Sequence, residues 1–146
     1  MTAGGPMELG LKFRSDVSGK IAGIRFYKNP GDGATHKGSL WTSNGTLLAT
    51  GRFTNETASG WQTLTFGSPV AIAANTTYVA SYHTSSGVFT VALGYFQTQG
   101  ADNGSLHALR HGADGPNGVM LSSTGGKFPS LGSTGHNYWV DVVFVK

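Results

Sequence analysis

Acidic side chains that could act as catalytic acids, bases or metal ligands are scarce in this sequence. It has two glutamates, Glu8 and Glu56, and five aspartates. A glycosidase needs two carboxyl groups about 5–10 Å apart, and Glu8 would meet Asp141 if the first and last strands were neighbours. The same pair could hold a structural calcium ion together with loop carbonyls. Cross-strand ion pairs with Lys12 and Arg25 are the simpler explanation on a solvated sheet.

A histidine pair with the spacing of a zinc site is the second candidate for chemistry. His107 and His111 are four residues apart, as in zinc-binding helices, and His136 would be a third ligand. Position 108 is alanine, however, where a zinc protease has its glutamate general base, and the surrounding glycines argue against a helix. Surface histidines are therefore the default interpretation.

Other catalytic or metal-binding motifs are incomplete. No serine lies in a Gly-x-Ser-x-Gly turn, and the chain has no cysteine nucleophile. Asp102–Gly104 and Asp114–Gly118 resemble pieces of a calcium loop but lack the full EF-hand series. The same residue types are typical of tight turns. We therefore predict a protein that is not an enzyme.

Aromatic side chains outside the core are the best candidates for a binding surface. Sugars stack on aromatic rings and hydrogen-bond to neighbouring polar side chains, and rigid rings offer contact area at a low entropy cost. Tyr27 is out of phase with Ile24 and Phe26, and Trp41 is out of phase with Leu40, so both could be exposed. The predicted ligand-binding residues are Tyr27, His36, Trp41, Tyr82, His83, Tyr95, His107 and Arg110.

The other large aromatics are assigned to the interior. Trp61 follows a Ser-Gly turn, a position where a tryptophan of a β-sandwich is usually a core or lid residue, and Trp139 is interpreted in the same way. The predicted core aromatics are Phe13, Phe26, Phe66 and Phe144.

The elements that must position these side chains are short strands. Apolar residues alternate in the first run, where Leu9, Leu11 and Phe13 share a face, and Asn44-Gly45 is a strong hairpin signal. Pro69–Ile72 is predicted to be an edge strand, and Val88–Phe96 a strand that follows a hairpin. The Gly-, Ser- and His-rich stretch from Gln97 to Asn137 is predicted to hold two short strands, 106–109 and 119–121. We predict an all-β fold without helices, an antiparallel β-sandwich of the jelly-roll or Ig-like type with about nine strands.

Composition excludes several functional classes. Charged residues make up 12% of the chain and the net charge is +3, with no basic run long enough to follow a phosphate backbone, so we predict no nucleic-acid partner. No apolar stretch approaches the ~20 residues that span a bilayer, so we predict no membrane insertion. The absence of cysteine excludes a disulfide framework.

The chain is organised as one unit. We interpret residues 1–7 as a linker and residues 8–146 as a single β-sandwich module. The first residues lack the basic and apolar regions of a signal peptide. We expect a secreted or cell-surface protein whose signal peptide lies outside this sequence.

Seven ordered blocks cover nearly the whole chain from Glu8 onward. The blocks are Glu8–Phe13, Gly23–Lys28, Thr35–Trp41, Ala58–Gln62, Pro69–Ile72, Thr77–Tyr82 and Asn137–Phe144. Together they closely resemble the bacterial domain of unknown function 4082. The resemblance implies a module of exported multidomain proteins, often repeated beside Ig-like or enzymatic domains, with no established activity. Modules in that context are frequently carbohydrate-binding.

The leading hypothesis is a non-catalytic carbohydrate-binding or surface-adhesion module. Its partners would be a polysaccharide or cell-surface glycan and the other domains of the same chain. The alternatives are a structural spacer or protein-interaction domain, and a small hydrolase that would require a cleft lined by Glu8 and Asp141. No cofactor is predicted apart from a structural calcium ion at Glu8 and Asp141.

Overall fold

A computed structural model describes all 146 residues, Met1–Lys146, as eleven β-strands without an α-helix. All pairings between the strands are antiparallel, in two sheets, which confirms the predicted β-sandwich. No helix of the length and apolar character needed to cross a bilayer is present. The strands are β1 (Met7–Ser15), β2 (Gly19–Lys28), β3 (His36–Thr42), β4 (Leu47–Arg52), β5 (Gly60–Ile72), β6 (Tyr78–Thr84), β7 (Ala101–Asn103), β8 (Leu106–Ala108), β9 (Val119–Ser122), β10 (Leu131–Gly132) and β11 (Val140–Val145).

The larger sheet has eight strands and is built around β1. Its main order is β10-β9-β1-β6-β3-β4, and the β7–β8 hairpin joins it through β8. One side of β1 pairs with β6 over Met7–Phe13. The other side pairs first with β9 and then, over Phe13–Ser15, with β8. The β7–β8 hairpin therefore extends the sheet beside the end of β1.

The smaller sheet has the order β11-β2-β5, and its burial alternates with a two-residue period between the register shifts. In β2, Ile24 and Phe26 are fully buried, whereas Arg25 is half-buried and Tyr27 is exposed. In β5, Gln62, Leu64 and Phe66 are buried while the residues between them are exposed. Alternate side chains of a strand point to opposite faces, so one face of this sheet covers the core and the other faces solvent.

The core lies between the two sheets. Phe26 of the smaller sheet stacks on Tyr82 of the larger one, with ring centroids 4.2 Å apart, and meets Phe53 edge-on. Each such ring contributes about 2–3 kcal/mol through the apolar area it removes from water. Phe13, Phe26 and Phe66 are buried as predicted, and Phe144 packs against the core while remaining partly exposed.

Three segments differ from the sequence prediction. Val88–Phe96 was expected to be a strand, but its only ladder contacts are isolated bridges from Val88 to Thr2 and from Ala92 to Asn137. Pro69–Ile72 continues β5 past a register shift, and so is not a separate edge strand. The 97–137 stretch holds four short strands where two were predicted. Its glycines and polar residues obscure the periodicity on which the prediction relied.

Candidate functional site

Two pairs of aromatic rings lie at one end of the smaller sheet, and a backbone hydrogen bond links the two pairs. Tyr27 is opposite Trp61 in the β2–β5 register, and the Tyr27 N–H donates to the Trp139 carbonyl at 3.0 Å. Tyr27 meets Trp61 edge-on at 5.6 Å between ring centroids, and Tyr95 meets Trp139 at 5.4 Å. Trp61, Tyr27 and Tyr95 are 42%, 41% and 39% exposed. We call Trp61, Tyr27, Trp139 and Tyr95 the aromatic row.

Trp139 takes its place in the row through an unusual backbone conformation. Its φ is 56°, in the left-handed region that bulky side chains rarely adopt. Two hydrogen bonds hold it there: its N–H donates to Asn137 Oδ1 at 2.8 Å, and its carbonyl accepts from Tyr27. Such a conformation costs on the order of 1–3 kcal/mol and tends to occur at functional sites.

A groove runs beside the aromatic row, between the free edge of β11 and the β7–β8 hairpin. The cavity beside the aromatic rings has a volume of about 280 Å³. Leu11, Phe13 and Val142 form an apolar floor, while Trp61, Tyr95 and Trp139 contribute aromatic walls. An apolar and aromatic cavity with a few polar groups is the usual form of a small-molecule site.

Arg25 and Asp141 are the polar pair of the groove. They are directly opposite in the β2–β11 register. The Arg25 guanidinium lies over Trp61, 4.6 Å from the ring centroid, and Asp141 Oδ1 accepts the Val142 N–H at 2.7 Å. Although adjacent, the two side chains make no ion pair with each other. Both therefore have hydrogen-bonding capacity left for a ligand.

His107 holds the β7–β8 hairpin, which forms the outer wall of the groove. Its Nδ1 lies 2.6 Å from Asp102 Oδ1, and its Nε2 lies 2.8 Å from Asp16 Oδ1. The hydrogen bond to Asp102, followed by that to Asp16, raises the pKa of His107 above its ordinary 6.5. A protonated imidazole donates from both nitrogens, so His107 ties the β7–β8 hairpin to the β1–β2 turn.

Comparison with known proteins places the chain in a family. The model of the family described as "Domain of unknown function (DUF4082)" matches residues 1–140. The chain belongs to the DUF4082 family. No curated protein and no solved structure matches it.

The structure places only some of the predicted ligand-binding residues of this DUF4082 chain together. Tyr27 and Tyr95 are in the aromatic row, and His107 lines the groove. Arg110 is exposed but does not line the groove. The other four predicted residues are buried, namely His36, Trp41, Tyr82 and His83.

His36 was expected to be a polar partner for a ligand but is part of a buried charge cluster. Its Nδ1 lies 2.7 Å from Glu56 Oε1, and its Nε2 is hydrogen-bonded to Asp32. Lys28 Nζ reaches the same Glu56 oxygen at 3.2 Å. Burial by itself raises the pKa of Asp32, but hydrogen bonds from His36 and Ser86 outweigh it, so that the pKa is lowered. The cluster thereby connects the loop that carries Asp32 to the segment that carries Glu56.

Trp41 was expected to be exposed and is 4% exposed. The outer face of the larger sheet is covered by the segment that carries Phe128, whose ring meets Trp41 edge-on at 5.6 Å. The indole N–H donates to Ser81 Oγ at 2.8 Å, and Ser81 in turn donates to Glu8 Oε2 at 2.6 Å. Sequence spacing identified the face of the strand correctly but gave no sign that a distant segment covers it.

The predicted calcium pair does not form. Glu8 is in β1 of the larger sheet, beneath the covering segment, and Asp141 is in β11 of the smaller sheet. First and last strands are not neighbours, because β1 pairs with β6, β8 and β9. No group of three or more His, Asp or Glu side chains is arranged to hold a metal ion.

The histidines at zinc spacing each have protein partners. The backbone N–H and carbonyl of Asn117 both lie 3.2 Å from His111 Nδ1. His136 Nδ1 accepts the Gly94 N–H at 3.0 Å. Asn117 itself is buried and bonds both backbone groups of Lys12, so the Asp114–Gly118 stretch is structural. Gly104 and Gly115 both have positive φ, as the interpretation of these segments as turns requires.

Sequence reasoning missed three principal residues of the groove. Trp61 and Trp139 were assigned to the interior, and Arg25 was considered only as an ion-pair partner. Alternation could have assigned Trp61 to the outer face of its strand, because it is out of phase with the apolar Leu64 and Phe66. It gave no signal for Trp139, whose left-handed backbone lies outside the strand.

Proposed function

We propose that this domain is a non-catalytic carbohydrate-binding module of a secreted or cell-surface bacterial protein. The observation that carries the proposal is the aromatic row beside a groove that contains unpaired polar groups. Three of the four rings are about two-fifths exposed, and a soluble domain gains no stability from leaving large rings in water. Flat rings flanked by hydrogen-bonding side chains are complementary to the alternating C–H and hydroxyl surfaces of a sugar.

The distribution of carboxylates supports binding over catalysis. Glu8 is buried under the segment that covers the larger sheet, and Glu56 is ion-paired with Lys28 and His36. Neither glutamate lines the groove, and of the two aspartates that do, Asp102 is bonded to His107 and Asp141 accepts the Val142 N–H. A module of this kind raises the local concentration of an attached domain at its target, and repeated copies increase avidity through effective concentration.

Replacing Trp61 with alanine tests the proposal. Loss of an exposed ring that lines the groove removes about 2 kcal/mol of binding free energy, so retention on a bound polysaccharide should fall about thirtyfold. We would measure it by affinity electrophoresis in gels containing soluble polysaccharides, and by the shift in tryptophan fluorescence on titration with oligosaccharides.

Leu131→Ala is the matched control, because Leu131 is 55% exposed on β10 of the other sheet. It should bind as the wild type does. Equal mobility of wild type and Trp61→Ala in every polysaccharide gel would contradict carbohydrate binding at this site. It would favour the spacer or protein-interaction alternative.

A further inference from the structure

The groove continues beyond the cavity beside the aromatic rings. A second cavity, of about 430 Å³, shares Arg25, Asn103, Leu106 and Val142 with the first and extends past Val143 to Phe144 and Lys146. Both cavities border β11, whose six residues span about 17 Å at ~3.3–3.4 Å per residue. The site is therefore a trough along a strand rather than a pocket for one terminal sugar.

Charges of both signs line the cavity around Arg25, and Lys146 lines the far end of the groove. Arg25 and His107 share this cavity with the carboxylates of Asp102 and Asp141. Asp102 is already hydrogen-bonded to His107. A sugar carboxylate or sulfate placed at Arg25 would lie next to Asp141, its direct cross-strand neighbour. Like charges in such proximity oppose binding.

The polar pair matches neutral hydroxyl groups instead. Arg25 offers N–H donors, and Asp141 Oδ2 is an acceptor without a partner in the protein. A hydroxyl group is both a donor and an acceptor. Two neighbouring hydroxyls of a sugar ring can therefore accept from Arg25 and donate to Asp141 at the same time, while the ring itself lies against an aromatic side chain.

An extended peptide is the rival occupant, since β11 is an edge strand. Pairing with an edge requires its free backbone N–H groups. The Val142 N–H, however, already donates to Asp141 Oδ1 at 2.7 Å. One oxygen of Asp141 therefore occupies a backbone N–H group that a pairing strand would need, while the other oxygen faces the groove. This arrangement favours a sugar over a peptide strand as the occupant.

From the groove's length, the carboxylate beside Arg25 and the polar pair, we infer that it binds an internal run of neutral sugar residues from a polysaccharide, not a charged glycan and not a chain end. The inference rests on the proposed function and specifies its ligand class.

The test uses the whole chain in affinity gels with neutral polysaccharides (β-glucan, xylan, mannan) and acidic ones (polygalacturonate, alginate). Retention should occur in a neutral gel and should change less than twofold between low and moderate salt. A tetrasaccharide of the retained polymer should bind at least tenfold more tightly than its monosaccharide. Retention only in acidic gels, with strong salt dependence, would overturn the inference while leaving carbohydrate binding intact. A monosaccharide that binds as tightly as the tetrasaccharide would overturn the internal-chain part.

Asp141→Lys tests directly whether the carboxylate beside Arg25 excludes anionic ligands. Removing the opposing carboxylate and adding a cation beside Arg25 should create salt-sensitive retention on polygalacturonate and weaken binding to the neutral polymer. The control is the double variant Leu48→Lys/Leu131→Lys, which adds the same two positive charges on exposed positions of the other sheet. Equal gains on polygalacturonate in both variants would show that overall charge, not the groove, selects the ligand.

No retention of any variant on any polymer would reject the proposed function itself, as would capture of extended peptides alone.

Discussion

The surroundings of Glu8 determine the protonation state of its carboxyl group. It is 1% exposed, Ser81 donates to its Oε2, and its Oε1 is the only buried side-chain oxygen or nitrogen without a partner. Burial raises the pKa of Glu8 from 4.5 to about 7, although the Ser81 hydrogen bond and the charge of Lys37 act in the opposite direction. A buried carboxyl group with an unpaired oxygen is more stable in its neutral form.

Glu8→Gln should therefore stabilise the domain above neutral pH. A carboxyl group whose pKa is raised on folding contributes stability that is fully present below pH 4.5 and is lost as the pH rises through about 7. The loss amounts to about 3 kcal/mol. Urea unfolding at pH 5 and pH 8 should show this decline in the wild type but not in Glu8→Gln.

Glu56→Gln is the control, because Glu56 is ion-paired with Lys28 and His36 and its replacement should destabilise the domain instead. Parallel pH profiles for wild type and Glu8→Gln would refute the assignment.

Among the elements, β11 and the residue before it decide the shape of the groove. Trp139, at φ 56°, is held by Asn137 and Tyr27 immediately ahead of Val140, where the strand begins. Tyr138 and Val140 on either side are buried. The left-handed turn thus allows the indole ring to lie beside Tyr95 while its neighbours stay in the core.

Trp139→Gly should be more stable than Trp139→Ala by about 1 kcal/mol, because glycine adopts positive φ without steric cost. Both variants lose the ring, so both should lose binding. The order of stability should be reversed at Trp61, which has an ordinary strand backbone where alanine is preferred to glycine. Urea unfolding of the four variants provides the measurement, and the same order at both positions would contradict the role of the backbone conformation.

At the scale of the whole molecule, the groove exists because the two sheets are unequal. The larger sheet extends past the edge of the smaller one through the β7–β8 hairpin, and the space between that hairpin and β11 opens onto core residues Leu11 and Phe13. The hairpin is short, with three residues in each strand, and is exposed over Asp102 and Asn103. The β1–β8 ladder holds the hairpin in the sheet, and the His107 bonds to Asp16 and Asp102 fasten it further.

Binding should therefore weaken as the pH rises. The pKa of His107 is raised on folding by Asp102 and Asp16, so its support of the hairpin is complete below pH 6.5 and is lost as the pH rises through the elevated folded value. Affinity for the retained polysaccharide should fall severalfold between pH 6 and pH 9 in the wild type. An NMR titration of the His107 ring should follow the same curve.

His107→Gln should show weaker binding with a flat pH profile, since its amide does not titrate. His111→Gln is the control, because His111 contacts the backbone of Asn117 rather than a carboxylate and does not line the groove. A decline with pH that persists in His107→Gln would assign the effect to another group.

The sequence by itself determined the fold class, the absence of helices, most strand positions and the face of β2 on which Tyr27 lies. All of these follow from local alternation and turn chemistry, which act over a few residues. Only the tertiary structure decided that Trp41 is covered by Phe128, that His36 is enclosed between Asp32 and Glu56, and that Trp61 and Trp139 lie open in one row. Alternation assigns a side chain to a face of its strand. Whether that face meets water depends on segments far away in the chain, and that is settled only when the two sheets and their loops pack together.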